Sequence, residues 1–196
     1  MPASLSPTIL ETERLYLHAL GPEQYQLIFD TWKDEDIMQY FGLKTQDDLA
    51  AERAKVSEGI KTYFVSFKLF RLVSKQTGAV IGRCDYHTWI RKHRRAEVGY
   101  YLFQDSDKGK GYMKEALGAV LAHGFEHMGL HRIEALIASY NEPSLRLVKH
   151  FGFTEEGILR AHYVVNGINE DSVMFSLIRA DYEKLKDTWR LKTVKA

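Results

Sequence analysis

The chain has 196 residues, 45% hydrophobic and 27% charged, with a formal net charge of +1. That length encloses one ordinary core, and the near-neutral balance argues against a polyelectrolyte partner such as nucleic acid. A single cysteine, Cys84, cannot close an intrachain disulfide, and no apolar run reaches the roughly 20 residues that span a bilayer.

In chain order, residues 1–9 read as an unstructured lead-in, and residues 1–7 lack the basic and apolar regions of a signal peptide, so a cytoplasmic protein is expected. Residues 13–20 alternate apolar and polar side chains as a half-buried strand does. Gly21-Pro22 ends that strand, and Tyr25, Ile28, Phe29 and Trp32 recur at helical spacing. A second helix is expected from Thr45, where Thr45-x-x-Asp48 resembles a capping box, with Leu49, Ala50, Val56 and Ile60 on its apolar side. The period then changes to two: residues 69–73 and 79–84 flank a short glycine-containing loop and read as a hairpin. The basic run 91–95 is expected to be a solvated loop, and 96–103 the next strand.

After Gly111, Met113, Ala116, Leu117, Val120, Leu121, Phe125 and Met128 fall on one helical face, and Gly129 is placed to end the helix. A strand over 132–138 and a helix over 141–153 follow, the latter closed by Gly152. Residues 157–165 and 171–178 read as strands joined through Asn166-Gly167, a hairpin turn signal, and 179–190 as a polar helix. There is no internal repeat or linker, so one domain over 10–190 is expected.

Lys108-Gly109-Lys110-Gly111-Tyr112-Met113 precedes the clearest helix. Two glycines free the backbone to turn N–H groups inward, and the helix start adds unpaired donors and a positive dipole end, which together suit a pyrophosphate. The alternative is a plain glycine-rich turn into a core helix. The Gly-Lys-Ser/Thr ending of a P-loop is missing, which disfavours nucleotide hydrolysis. His123 and His127 stand four apart on the same helix without the His-Glu-x-x-His form or a third ligand, so no metal is expected.

Taken with Asn141, Ser144, Gly152 and Phe153, these residues resemble the two signatures of the GCN5-related N-acetyltransferase (GNAT) superfamily. Gly109-Lys110-Gly111 matches the second half of its Arg/Gln-x-x-Gly-x-Gly/Ala motif, with Ser106 in the usual arginine or glutamine place. The Glu11–Leu15 and Glu97–Tyr100 segments, Gly109–Tyr112 and Glu156–Arg160 are similar to the branch of ribosomal-protein N-terminal acetyltransferases. The resemblance implies a mixed α/β fold: a mostly antiparallel sheet splayed between two middle strands, with helices on both faces. It also implies acetyl-CoA as co-substrate and an amine acceptor, bound without an acyl-enzyme. A protein N-terminal α-amine is the first expected acceptor, and a small amine (polyamine, amino sugar or antibiotic) the alternative. A CoA-binding module without catalysis is a third reading. Relatives are often dimers, which makes a homodimer one expected assembly.

By the same resemblance, Tyr101, Leu102 and Phe103 pair with the pantetheine arm. Residues Lys108, Gly109, Lys110, Gly111, Tyr112 and Met113 cradle the pyrophosphate. Asn141 is expected to bond the pantetheine or the splayed backbone, or to cap its helix, and Arg146 and Lys149 to reach the 3′-phosphate or to be solvated. Glu97 is the candidate base, against a structural carboxylate paired with an arginine. The family's tyrosine acid is replaced by Val148, which leaves Ser144 as proton donor, or as a helix cap. Tyr40, Phe41, His162 and Tyr163 lie in segments that form the family's acceptor groove.

Overall fold

The computed structural model describes residues 9–57 and 66–189. The lead-in before Ile9, Ile60 on the expected second helix and Arg190 at the chain's last helix lie outside them. Strands β1 (Ile9–Glu11), β2 (Leu15–Leu20), β3 (Ser66–Ser74), β4 (Val80–Ile90), β5 (Arg95–Leu102), β6 (Arg132–Ile137), β7 (Thr154–Val165) and β8 (Ile168–Ile178) form one sheet in the order β1-β2-β3-β4-β5-β6-β8-β7. Every neighbouring pair is antiparallel except β5 and β6. Helices α1 (Pro22–Thr31), α2 (Asp34–Phe41) and α3 (Gln46–Ser57) come between β2 and β3. Helix α4 (Tyr112–Glu126) joins β5 to β6, α5 (Glu142–His150) joins β6 to β7, and α6 (Arg179–Leu185) follows β8. The expected mixed α/β sheet is therefore formed.

Local chemistry sets several boundaries. Thr45 and Asp48 make the reciprocal capping box at α3: the Asp48 N–H donates to Thr45 Oγ1 (3.1 Å) and the Thr45 N–H to Asp48 Oδ2 (2.9 Å). Asn166 and Gly167 both take positive φ, 51° and 79°, as the tight turn between β7 and β8 requires. Two elements depart from the sequence-based reading. Helix α2 has an acidic first turn and ends at Gly42 in the left-handed region, but its eight residues carry only two buried apolar positions. That is too short a run for periodicity to reveal. Strand β4 runs to Ile90, six residues past the expected end at Cys84, because it pairs with both β3 and β5 along that extension.

Alternation along β2–β5 divides the side chains between two cores. Phe70, Leu72, Cys84, Tyr86, Ala96 and Val98 face α4 and join Leu117, Val120, Leu121 and Phe125 in the main core. Leu69 faces the other way, into a smaller aromatic cluster with Tyr25, Phe29 and Phe41 beneath α1–α3. Phe70, Phe125 and Phe175 are fully buried, each worth about 2–3 kcal/mol in transfer free energy.

Candidate active site

The sheet forks between β5 and β6. Their parallel pairing covers only Arg95 with Arg132, Ala96 with Ile133 and Glu97 with Glu134, although both strands continue. The Phe103 N–H donates to Ile81 across the β4 ladder (2.9 Å). In an antiparallel ladder the residues paired this way alternate, so Tyr101 and Gly99 also turn their backbone groups to β4. Tyr100 and Leu102 turn theirs into the fork. Of the residues expected to meet an extended arm there, Leu102 thus presents its backbone to the gap, while the Tyr101 and Phe103 rings lie 5.4 Å apart, tilted by 56°.

Beside the fork, Gly109 and Gly111 take φ of 73° and 80°, and Gly111 is the N-cap of α4. A side chain at Gly109 would meet nothing within 4 Å, so its left-handed backbone alone favours glycine there. The first bond of the helix runs from Glu115 to the Gly111 carbonyl, leaving the N–H groups of residues 111–114 open for an anion. Lys108 pairs with Asp105 at 2.5 Å, both well exposed. A latch that sequence reading missed holds this loop. Arg14 donates from its backbone N and Nε to Glu115 (2.7 Å each) and from Nη1 to the Lys110 carbonyl (2.9 Å), while its guanidinium lies over the Tyr112 ring. Thr12 adds a bond to the same Glu115 carboxylate.

On the face beneath α1–α3 the same strands carry charge. Arg83, Asp85 and His87 of β4 and Glu52 of α3 line a cleft of about 590 Å³, and Glu97 of β5 pairs with His87. His87 bridges two carboxylates, with Nδ1 3.0 Å from Asp85 and Nε2 3.1 Å from Glu97. Burial alone would lower its pKa, but the hydrogen bonds to Asp85 and Glu97 push it up to about 10, so the ring is an imidazolium at neutral pH. Gly99 makes this contact feasible, because a Cβ there would sit 2.9 Å from the imidazole carbon. Glu97 is 9% exposed, and Tyr163 faces it from β7; burial first, then the Glu97 carboxylate, pushes that phenol up. At the fork's base the neighbouring Glu134 is separately neutralised by Arg95 (2.6 Å) and Arg132 (2.7 Å). Glu52 accepts from Tyr25 and pairs with Lys55 (2.6 Å) and Arg83 (3.0 Å).

Helix α5 begins beside the fork. Asn141 caps it, its side chain accepting from the Ser144 N–H at 3.3 Å. The Tyr100 hydroxyl is buried without a well-formed hydrogen bond and faces the Ser144 side chain; burial pushes it up to about 12. Val148, in the position of the missing tyrosine, is fully buried. Lys149 is exposed, 6.0 Å above the Phe175 ring. His162 contacts Ser172 and meets the Tyr163 ring edge-on. Tyr40 lies over Arg71 and Phe41 is buried in the aromatic cluster, both on α2 rather than at the fork.

Sequence reading thus singled out Glu97 and Tyr163, which the structure brings together, but not Asp85, His87, Arg83 and Glu52 around them. The alternation Arg83-Cys84-Asp85-Tyr86-His87 was available as a strand signal. Which β5 residue faces His87 depends on register, which no local pattern encodes.

A sheet forked at its single parallel pair, a glycine-opened helix start beside the fork and a carboxylate at its base together form the candidate site. Residues 14–154 match the acetyltransferase (GNAT) domain, and the chain belongs to that family. The Bacillus subtilis protein YoaA, called an uncharacterized N-acetyltransferase, is 30% identical over 176 residues, covering 87% of this chain and 97% of its own. YdaF of the same organism, provisionally named a ribosomal N-acetyltransferase, is 32% identical over 106 residues, covering 54% of this chain and 57% of its own. Among solved structures, mutant forms of the Vibrio cholerae spermidine/spermine N-acetyltransferase SpeG superpose with a TM-score of 0.63 at 21% identity, covering 87% of this chain and 98% of theirs. This chain is accordingly an acyltransferase of the N-acetyltransferase kind, from a family that uses acetyl-CoA. Among the described residues no helix is long and apolar enough to cross a membrane.

Proposed function

We propose that the chain transfers an acetyl group from acetyl-CoA directly to the α-amine of a protein N-terminus. The donor's pyrophosphate rests on the open N–H groups of residues 111–114, with Gly109, Lys108 and Lys110 around it. Its pantetheine arm follows the backbone of Tyr100 and Leu102 in the fork, with Asn141 and Lys149 on the far side. Glu97 takes the amine's proton, directly or through a water, and the His87 imidazolium keeps that carboxylate oriented and charge-compensated. A β5 N–H in the fork stabilises the oxyanion. Ser144, at the start of α5, gives a proton to the departing thiolate, whose ordinary pKa near 8.5 makes modest assistance sufficient.

The charge balance of the acceptor cleft carries the choice of acceptor. Among the described residues Glu52, Asp85 and Glu97 are each matched by Lys55, Arg83 or His87, which leaves no surplus of carboxylates there for a polycation. An N-terminal amine, with a pKa of about 7.7–8.0, reaches such a cleft partly neutral, whereas an amine near 10.4 arrives charged. Likeness to YdaF supports the same reading. The test is thiol release from acetyl-CoA with peptides bearing free or blocked N-termini, polyamines and aminoglycosides. Turnover confined to free N-termini is expected; turnover confined to polyamines or aminoglycosides would replace this acceptor with a small amine. Tight acetyl-CoA binding with no turnover on the whole panel would leave a binding module.

A further inference from the structure

One buried cation in this molecule has no use in the chemistry above. Arg71, on β3, is only 8% exposed, and its Nε has no hydrogen-bond partner. Its guanidinium lies 3.5 Å from the centre of the Tyr40 ring, and Nη1 reaches His18 Nδ1 at 3.5 Å. His18 is itself pushed down by burial and by Arg71, so it stays neutral and supplies no charge. Among the described residues no carboxylate pairs with Arg71, in contrast to Arg83, Arg95 and Arg132, each of which has one or two. Burying a guanidinium without an anion costs several kcal/mol, and chains retain such a group when something supplies the missing charge.

Arg71 lines a cavity of about 760 Å³ between α2 and the β3–β4 hairpin. Trp32, Lys33, Tyr40, Gly42 and Val80 form other parts of its wall, and among the described residues Asp36 is its one acidic side chain. Two cations against one carboxylate leave the cavity net positive. It is separate from the acceptor cleft: between them lies a void of only about 10 Å³, walled by Phe41, Leu69 and Phe103, with room for about one water. We propose that this cavity is a second ligand site, taking a small molecule whose carboxylate or phosphate oxygens meet Arg71 and Lys33 while its body lies against Trp32 and Tyr40. The planar guanidinium fork, fixed by the tyrosine ring behind it, suits either oxyanion.

The test needs no acetyl transfer, so its outcome is independent of the acceptor assignment. Melting temperature and calorimetric titration are followed with sodium phosphate, acetate and benzoate, at ionic strength held constant with sodium chloride. A saturable rise with at least one of the three is expected, and the arm that responds tells a phosphate ligand from a carboxylate. Arg71→Met should abolish the rise and, in oxyanion-free buffer, melt above the unsubstituted chain, because an uncompensated buried charge has been removed. Lys33→Glu, at an exposed position that folding tolerates, should weaken binding by about tenfold or more. No response to any of the three anions beyond that to chloride, or an equal response in both variants, overturns the proposal.

Discussion

Strands β3, β4 and β5 present two faces that share a backbone and differ in almost everything else. Toward α4 they carry Phe70, Tyr86, Ala96 and Val98, closed over by Phe125 and Val120. Toward α1–α3 the residues between them are Arg71, Arg83, Asp85, His87 and Glu97, all polar: Arg71 and Glu97 are buried, Arg83 and Asp85 mostly so, and the His87 side chain is 41% exposed. The first face supplies the hydrophobic stabilisation that lets the second hold charges where water screens them weakly. The contrast teaches that, in this sheet, stability and chemistry are assigned by side-chain parity within single strands rather than by separate segments.

Substitutions sharpen or break that contrast. Phe125→Ala, on the apolar face, should cost about 3–5 kcal/mol of stability in denaturant melts while leaving turnover per folded molecule intact. Glu97→Gln, one residue from Ala96 and Val98 but on the other face, should lower kcat by about 10²–10⁴ with acetyl-CoA binding unchanged by calorimetry. If it unfolds the chain instead while the surviving fraction turns over normally, Glu97 is a structural carboxylate and the contrast fails. Arg14→Ala should loosen the loop at 108–111 and weaken acetyl-CoA binding about tenfold, on the order of 1.4 kcal/mol, measured by titration.

The smallest effect concerns His87. Its folded pKa of about 10 stands above the ordinary 6.5, so the stability it contributes is complete below pH 6.5 and is lost as pH rises toward 10. The melting temperature of the unsubstituted chain should therefore exceed that of His87→Gln most at pH 6 and converge with it near pH 10. A difference independent of pH would mean that the bridge between Asp85 and Glu97 is not ionic.

Several parts of the molecule were legible before any coordinates. The glycine-opened loop at 108–111 and α4 lie within one stretch of chain, so glycine placement and helical periodicity specify them together. The Thr45–Asp48 box and the Asn166-Gly167 turn are equally local, because each is satisfied within a few residues. Strand β1 is too short for a period to register, and it forms because β2 offers an edge. The ion pairs of Arg14 with Glu115 and of His87 with Glu97 join elements far apart in sequence or set by register.

By itself, then, the order of residues determined the glycine-opened loop before α4, the caps, the turns and the two-faced alternation of the strands, since all of these are short-range consequences of backbone freedom and side-chain period. Only the tertiary structure decided how far β5 stays paired with β6, that His87 lies between Asp85 and Glu97, and that Arg71 is buried with no carboxylate partner among the described residues. Those outcomes depend on which strands meet and in what register, and that is settled by burial summed over the whole core rather than by any one segment.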